Sequence, residues 1–138
     1  MTLLRDLLTD QQSLVTIEPR TTVREAAKKM AQADVGSLAI MDGDRLAGIF
    51  TERDLLRRVL VAEKDLDATL VSEVMTKDVI TCQPGTGVNS AILLLRRHKV
   101  RHLPVVSEDG KVVGMFSIRD LLREEMQELR DYIARAEG

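Results

Sequence analysis

The 138-residue chain has no tryptophan, one tyrosine, two phenylalanines and a single cysteine, Cys82. One cysteine cannot form an intramolecular disulfide, and it excludes a zinc site built from several thiolates. No apolar run reaches the roughly 18 residues of a membrane span, and Arg5 and Asp6 interrupt the apolar N-terminus, so no signal peptide is expected. Twenty Lys and Arg against 22 Asp and Glu give a net charge of −2, which argues against a protein that coats nucleic acid. We therefore expect a globular, soluble and cytoplasmic domain.

The sequence contains two copies of one unit. Thr81 lies 65 residues after Thr16, and at this offset seven positions between 16 and 38 are identical to their counterparts. At an offset of 66, seven more positions between 48 and 57 are identical. Unrelated segments would not match this often, so the repeat determines the architecture.

Each copy predicts the order β-α-β-β-α. A short extended piece ends at Pro19 or Pro84, because the residue before a proline is disfavoured in a helix. Thr22 and Glu25 have the spacing of a capping box at the start of the first long helix. Asp-Gly pairs, at 42–43 and 109–110, predict the hairpin turns. The predicted extended pieces are 14–17 and 79–82, the first helices 23–32 and 88–98, the hairpin strands 37–41, 46–50, 103–106 and 112–116, and the second helices 52–61 and 118–134.

The fold class predicted is α/β (α+β), with the two repeats packed sheet to sheet about a pseudo-two-fold axis. A unit of fewer than 50 residues cannot stabilise itself alone, so the copies must share a core. We place the boundary between residues 1–65 and 66–138, and expect short lead-in helices at 2–8 and 70–75, one for each copy. The seam between the copies predicts two equivalent clefts.

A polar motif occurs where the last strand of each copy meets its second helix: Thr51-x-x-Asp54 and Ser117-x-x-Asp120. A hydroxyl followed three positions later by an acid is a capping box. The same geometry also suits a ligand, because free amides at a helix N-terminus attract phosphate and a carboxylate can accept both hydroxyls of a ribose. The spacing by itself leaves both interpretations open.

Taken together, the motifs resemble the cystathionine-β-synthase (CBS) domain. They are T-x-x-P before the first helix, V-x-x-L-P at 100–104, and G-h-h-[ST]-x-x-D at the last strand, over about residues 2–130. Two such domains in tandem resemble a Bateman module. The resemblance implies binding of AMP, ADP, ATP, NAD or S-adenosylmethionine between the repeats, with AMP expected first, and pairing of two modules into a homodimer.

The resemblance also assigns residues to the two clefts. Asp54 and Asp120 would hold ribose hydroxyls, supported by Thr51 and Ser117. Backbone groups near Thr16, Ile17, Thr81 and Cys82 would contact adenine. Arg101 and His102 would contact phosphate in the cleft of Asp54, Gly36 and Ser37 would serve the cleft of Asp120, and Arg53 and Arg119 would add phosphate contacts. Because Arg101 and His102 stand where the first copy has Gly36 and Ser37, we expect the Asp54 cleft to prefer the more highly phosphorylated or more tightly held ligand.

Three features have alternative interpretations. The basic stretch 96–102 suits a solvated helix end, a phosphate contact or nucleic acid, although stacking aromatics are missing. Cys82 suits a buried apolar position or a redox sensor. An apolar seam continues along the last helix beyond the repeat, and suits packing on the module's own surface or contact with a second copy or a target; its residues are Leu122, Met126, Leu129 and Ile133.

We therefore predict a non-catalytic regulatory module that changes shape or association when a nucleotide binds. No nucleophile–base pair, P-loop or dinucleotide fingerprint is present, and His98 and His102 have no third metal ligand at suitable spacing. No metal is expected to be required. The expected partners are a nucleotide, a second copy and an unidentified regulated protein, without a membrane or nucleic acid. The alternatives are a scaffold that binds no nucleotide and a redox-linked regulator acting through Cys82.

Overall fold

The computed structural model describes residues 2–8 and 14–137, and for Asp120, Arg123 and Glu124 it describes the backbone alone. No helix in these residues is both long and apolar enough to cross a membrane. The elements are mixed α and β, and they follow the predicted order except that no strand forms at 79–82. They are α1 Leu4–Leu7, β1 Thr16–Ile17, α2 Val23–Ala33, β2 Ser37–Asp42, β3 Arg45–Thr51, α3 Glu52–Asp54 with a π-helical continuation Leu55–Leu60, α4 Val71–Val74, α5 Val88–His98, β4 His102–Val106, β5 Val112–Ser117 and α6 Ile118–Glu137.

The predicted hairpins form in both copies. β2 and β3 are antiparallel with Leu38 opposite Phe50, and β4 and β5 place Leu103 opposite Phe116, the equivalent pair. Gly43 and Gly110 both have positive φ, 62° and 85°, as the turns require. β1 adds a parallel strand at the outer edge of β2.

The prediction of a strand at 79–82 is wrong. Within the described residues this segment forms one parallel bridge, between Cys82 and Val105, through Cys82 N–H to Pro104 O at 3.1 Å and Val106 N–H to Cys82 O at 2.8 Å. In the first copy, Ala39 N–H donates to Val15 O at 2.9 Å and lengthens the pairing to two residues. Proline has no N–H, so Pro104 cannot make the equivalent bond.

The long helices begin and end as their sequences indicate. Thr22 caps α2 by accepting a hydrogen bond from Glu25 N–H at 3.2 Å. α2 and α5 both end at a left-handed residue, Asp34 with φ 53° and Lys99 with φ 54°. The second helix of the first copy differs from expectation, because its residues after Asp54 widen into π-helical turns. Such turns are rare and often occur at functional sites.

Each copy has its own apolar core, but the lead-in helices lie in the opposite cores from those expected. Leu4 of α1 is buried in the core of the second copy, and Val71 of α4 is buried in the core of the first. Equivalent backbone bonds hold them there: Leu4 N–H to Thr86 O at 2.9 Å, and Val71 N–H to Thr21 O at 2.8 Å. Periodicity predicts both helices but cannot decide which core they enter. The boundary between residues 65 and 66 stays a prediction.

The two sheets pack against each other through a third apolar cluster. Ala39 and Ile49 from the first sheet contact Met115 from the second, and all three are buried. Partly buried side chains surround them at the edge: Leu14, Met41, Leu46 and Val79. The predicted sheet-to-sheet arrangement is confirmed, and it brings the C-terminal ends of β3 and β5 to opposite sides of one seam.

Two equivalent glycines, Gly48 and Gly114, allow the lead-in segments to lie close to the sheets. They should differ in how well they tolerate replacement by alanine. A Cβ on Gly48 would lie 2.7 Å from Thr76 O, a backbone atom that accepts from Ile49 N–H. A Cβ on Gly114 would meet only the end of the Leu8 side chain, at 2.8 Å. We expect Gly48→Ala to lower the free energy of unfolding by about 1–3 kcal/mol and Gly114→Ala by less than about 1 kcal/mol. Urea denaturation of both variants tests this, and equal losses would contradict it.

Candidate functional site

The capping box predicted at Thr51 and Asp54 is present, and it fixes the Asp54 carboxylate. Asp54 N–H donates to Thr51 Oγ1 at 3.2 Å, while Thr51 N–H donates to Asp54 Oδ2 at 3.0 Å. The residue is only 5% exposed. The structural interpretation of the motif is therefore correct, and the same bonds hold an acidic group in one orientation.

Two residues from outside the motif complete the surroundings of Asp54. Thr76, which follows α4, donates its hydroxyl to Asp54 Oδ1 at 3.2 Å. Arg58 places Nε 3.6 Å from Oδ1, and its Nη1 donates to Met75 O at 3.0 Å. A buried carboxylate requires such partners to offset its desolvation. The swapped position of α4 thus supplies part of the acidic site of the first copy.

Asp54 lies in a cavity of about 600 Å³ between the copies, which we call the Asp54 cleft. Arg101 of the second copy lines the same cavity. This volume is typical of small-molecule sites. The first copy contributes Ile49, Thr51, Glu52, Arg53, Asp54, Leu56, Arg57 and Arg58, the segment after it Thr76, and the second copy His98, Lys99, Val100, Arg101 and His102.

A second cavity of about 560 Å³ is related to the first by the repeat, and we call it the Ser117 cleft. Ser117 is buried at the end of β5, with Gly36 and Ser37 across the cavity in the first copy. The side chain of Asp120 lies outside the described residues, so its place in this cleft stays a prediction. The other lining residues are Ala33, Asp34, Val35, Glu52, Arg101, His102, Met115, Ile118, Arg119 and Leu122.

Arg101 and His102 line both clefts, together with Glu52. Arg101 and His102 line the Asp54 cleft, where the sequence placed them, and they line the Ser117 cleft as well; their phosphate role stays a prediction. Gly36 explains the arrangement: Glu52 N–H donates to Gly36 O at 3.0 Å, and a Cβ on Gly36 would collide with the Glu52 carboxylate and lie 3.1 Å from His102 Nε2. The side chains of Glu52, Arg101 and His102 therefore form a shared wall between the two cavities.

The two clefts still differ in charge. The Asp54 cleft carries five Lys or Arg side chains and two histidines against Glu52 and Asp54. Among its described residues, the Ser117 cleft has Arg101, Arg119 and His102 against Asp34 and Glu52. No carboxylate described in the structure forms an ion pair with Arg101. The Asp54 cleft is thus suited to an anionic group.

Arg53 and Arg119, predicted as phosphate ligands, both bind helix ends of the opposite copy. Arg53 Nη1 donates to Lys99 O at 2.9 Å, at the C-terminus of α5. Arg119 Nη1 donates to Asp34 O at 2.9 Å, at the C-terminus of α2, and its Nη2 lies 3.2 Å from Asp34 Oδ1. A cation at a helix C-terminus is favourable. These symmetric bonds join the copies, and the phosphate role stays a prediction.

The segments expected to contact adenine lie elsewhere. Thr16 and Ile17 line a separate cavity of about 710 Å³ beside Lys28 and Lys29. The reason is topological, because β2 lies between β1 and β3, so β1 is not a direct neighbour of the strand that ends at Thr51. Thr81 and Cys82 line neither cleft. None of these four residues lines the Asp54 cleft or the Ser117 cleft, and their contact with adenine stays a prediction.

Cys82 is a buried apolar residue, as the match to Ile17 indicates. It belongs to the core of the second copy, and burial raises the pKa of its thiol to about 11. Redox-sensing cysteines are exposed and have lowered pKa values. The redox alternative is therefore disfavoured.

Sequence reasoning missed Thr76, Arg58 and Glu52. A signal existed for Thr76: the pairs Leu8-Thr9 and Met75-Thr76 follow the two lead-in helices 67 residues apart. Thr9 itself lies outside the described residues. No corresponding signal marks Arg58, whose contact with Asp54 depends on the helix geometry. Across residues 2–8 and 14–137, no three His, Cys, Asp or Glu side chains come together in a group that could hold a metal ion.

Comparison with known proteins identifies the family. The sequence pattern of the CBS domain matches residues 4–61 and 71–127. The chain belongs to the CBS domain family. A CBS domain-containing protein of Arabidopsis thaliana, CBSX3, mitochondrial, is 39% identical over 81% of this chain and 60% of its own length. The chain spans 64%, 60% and 59% of the lengths of three curated relatives.

Solved structures share the fold of this CBS pair. A protein with CBS domains from Burkholderia ambifaria superposes with a TM-score of 0.84 at 35% identity, covering 91% of this chain and 95% of that one. CBS domain protein PAE2072 from Pyrobaculum aerophilum, complexed with AMP, has a TM-score of 0.80 at 30% identity, with coverage of 94% and 99%. The paired-domain architecture is therefore that of known CBS proteins.

The burial of Cys82 predicts low thiol reactivity in the folded protein. Its pKa of about 11, against 9.0 for an ordinary thiol, keeps the group protonated at neutral pH. We expect a chromogenic disulfide reagent to label Cys82 slowly at pH 7.5 in buffer and rapidly in denaturant.

Because the folded-state pKa of Cys82 is raised, the free energy of unfolding that its protonated thiol contributes below pH 9 should be lost as the pH rises towards 11. Fast labelling of the native protein would restore the redox alternative.

Proposed function

We propose that this CBS pair is a non-catalytic regulatory module that binds an adenosine-containing ligand between its repeats, with AMP as the first candidate. The observation that carries the proposal is the Asp54 cleft. A buried carboxylate of fixed orientation lies on one wall, and the cation Arg101 of the opposite repeat lies on the other. A molecule with a diol at one end and an anionic group at the other would satisfy both walls.

A nucleotide has those two ends. The Asp54 carboxylate can accept hydrogen bonds from the 2′ and 3′ hydroxyls of a ribose. Arg101 and Lys99 can bind phosphate, and charge-assisted bonds of this kind contribute about 1.5–3 kcal/mol each. The AMP complex of the Pyrobaculum aerophilum protein, with the same fold at 30% identity, supports the same ligand class here. Since the Asp54 cleft carries more cations, it is the one expected to prefer the more highly phosphorylated ligand.

The signal would be a change in how the repeats are oriented. A ligand in the Asp54 cleft contacts both copies, so it favours the arrangement in which those contacts fit. Arg53 and Arg119 join the copies at the rims of the two clefts, so a change in the orientation of the repeats would alter their hydrogen bonds. The proposed partners are a second copy of the module and an unidentified regulated protein. Either would respond to the ligand if it bound one orientation of the repeats more tightly than the other.

A scaffold that binds no nucleotide is the competing function. The capping box supports it, because Thr51 and Asp54 have a structural role without any ligand. Such a module would keep the paired fold and the charged clefts, and would pass on no ligand signal. The two functions differ in whether nucleotides alter the stability of the chain.

Nucleotides should raise the melting temperature if the proposal is correct. AMP at a hundred times its dissociation constant should stabilise the fold by about 2.7 kcal/mol, which corresponds to several degrees for a chain of this size. The panel is AMP, ADP, ATP, NAD, NADH and S-adenosylmethionine. Asp54→Asn, which keeps the side-chain size but removes the charge, should reduce the shift, whereas Asp44→Asn in an exposed turn should not. Absence of a shift with every ligand would favour the scaffold.

The shared wall predicts the effect of removing Arg101. Since Arg101 lines both clefts, Arg101→Ala should weaken AMP binding at both sites, by about tenfold at each for the loss of one charge-assisted contact. Isothermal titration calorimetry would resolve the two sites. Arg97→Ala on α5 removes the same charge from a residue that lines neither cleft and serves as the control. A loss confined to one site would contradict the shared wall.

A further inference from the structure

Equivalent segments of the two copies line the two clefts, and they differ in charge. Residues 33–37 of the first copy line the Ser117 cleft, and residues 98–102 of the second copy, 65 positions later, line the Asp54 cleft. The first segment reads Ala-Asp-Val-Gly-Ser, with one acid and no base. The second reads His-Lys-Val-Arg-His, with two bases and two histidines. The same part of the fold is therefore acidic in one cleft and basic in the other.

The clearest exchange is at the left-handed residue that ends the first long helix of each copy. Asp34 has φ 53° and Lys99 has φ 54°, so the backbones are equivalent while the side chains have opposite charges. Arg119 donates through Nη1 to Asp34 O at 2.9 Å and through Nη2 to Asp34 Oδ1 at 3.2 Å. At the equivalent place Arg53 Nη1 donates to Lys99 O at 2.9 Å, and lysine offers no carboxylate. Asp34 thus offsets the charge of Arg119, whereas Lys99 adds to that of Arg53.

The clefts therefore differ in how well they can hold a phosphate. The shared residues of the wall are common to both, so the difference comes from the other lining residues. Among those described, the Ser117 cleft has Arg119 against Asp34, and the Asp54 cleft has four Lys or Arg side chains against Asp54. A phosphate monoester carries about 1.5–2 negative charges at pH 7. Taking such a charge out of water requires compensating cations, which the Asp54 cleft has in excess.

Apolar side chains form part of the wall of the Ser117 cleft instead. Val35 is half-buried, and Met115 is only 1% exposed. Ile118 stands at the repeat position of Glu52, 66 residues later, and it also lines this cleft. Contact with such side chains favours an apolar group, because it removes apolar surface from water. The Ser117 cleft is thus better suited to an uncharged, apolar substituent than to a phosphate.

We propose that the Ser117 cleft binds an adenosine whose 5′ substituent is uncharged and apolar, while the Asp54 cleft binds the phosphorylated nucleotide. The adenosine part rests on the proposed function, and the inference adds the ligand class of the second cleft. The ribose lies near Ser117, the counterpart of Thr51, and the 5′ end meets the segment 33–37. One module then holds two different ligands at once and responds to the ratio of their concentrations.

Calorimetric titration of the full chain with two probes tests the assignment. The probes are AMP and 5′-methylthioadenosine, which carries an uncharged thioether at the 5′ position. With AMP present at a concentration that fills only its tighter site, 5′-methylthioadenosine should still bind one site per chain. In Asp54→Asn, AMP binding at the tighter site should weaken by roughly tenfold, and binding of 5′-methylthioadenosine should keep its affinity.

A charge change at Asp34 should reverse the preference of the Ser117 cleft. Asp34→Lys introduces the residue that the second copy has at the same left-handed position, so the backbone can accept it. The variant releases Arg119 Nη2 and adds a cation, so AMP affinity at this cleft should rise by roughly tenfold, while that of 5′-methylthioadenosine should change little. Asp44→Lys, an equal charge change at an exposed turn residue that lines neither cleft, is the control.

Thermal unfolding without ligand would show whether each variant keeps the fold. Asp34→Asn, which removes the charge and suits a left-handed position, should shift the preference in the same direction by a smaller factor and serves if the lysine variant does not fold.

Contrary results would separate this inference from the proposed function. If AMP binds but 5′-methylthioadenosine does not, or if AMP at its tighter site displaces it, the inference is wrong and nucleotide binding stands. An unchanged ratio of the two affinities in the folded Asp34 variants would mean that charge at this wall does not select the ligand. If neither probe binds the folded chain, the inference and the proposed function both fail.

Discussion

The packing of the two small sheets through Ala39, Ile49 and Met115 is the contact on which the other features depend. One sheet has three strands and the other only two, and a two-stranded hairpin by itself is at most marginally stable in water. Once the sheets pack, the ends of β3 and β5 lie at a common seam, and residues 65 or 66 positions apart become related by near symmetry. The two clefts are a geometric consequence of that contact.

Reciprocal bonds at the periphery strengthen the same association. α1 lies in the core of the second copy and α4 in that of the first, and each is held by equivalent backbone bonds. Arg53 and Arg119 repeat the pattern at the helix C-termini of the opposite copy. Because these backbone and arginine–carbonyl bonds have counterparts in the other copy, a ligand that alters one side of the seam acts on two copies that are bonded to each other in the same way.

Asp54 shows how a structural motif and a candidate binding group can be the same residue. Its bonds to Thr51 and Thr76 explain its burial without any ligand, so the capping interpretation is correct as far as it goes. Those bonds also fix the carboxylate where it borders a cationic cavity. A group held in place by the fold needs no reorganisation when a ligand arrives, which lowers the entropy cost of binding.

The sequence by itself determined the duplication, the hairpins with their Asp-Gly turns, the helix caps and the CBS resemblance, since each depends on neighbouring residues or on a fixed offset. Tertiary structure alone decided which core each lead-in helix enters, that Pro104 shortens a strand pairing, that Arg101 lines two cavities, and that Thr16 and Ile17 line a cavity other than the Asp54 cleft. These depend on contacts between residues distant in the chain. Local propensity and periodicity cannot report such contacts, because both are properties of one segment at a time.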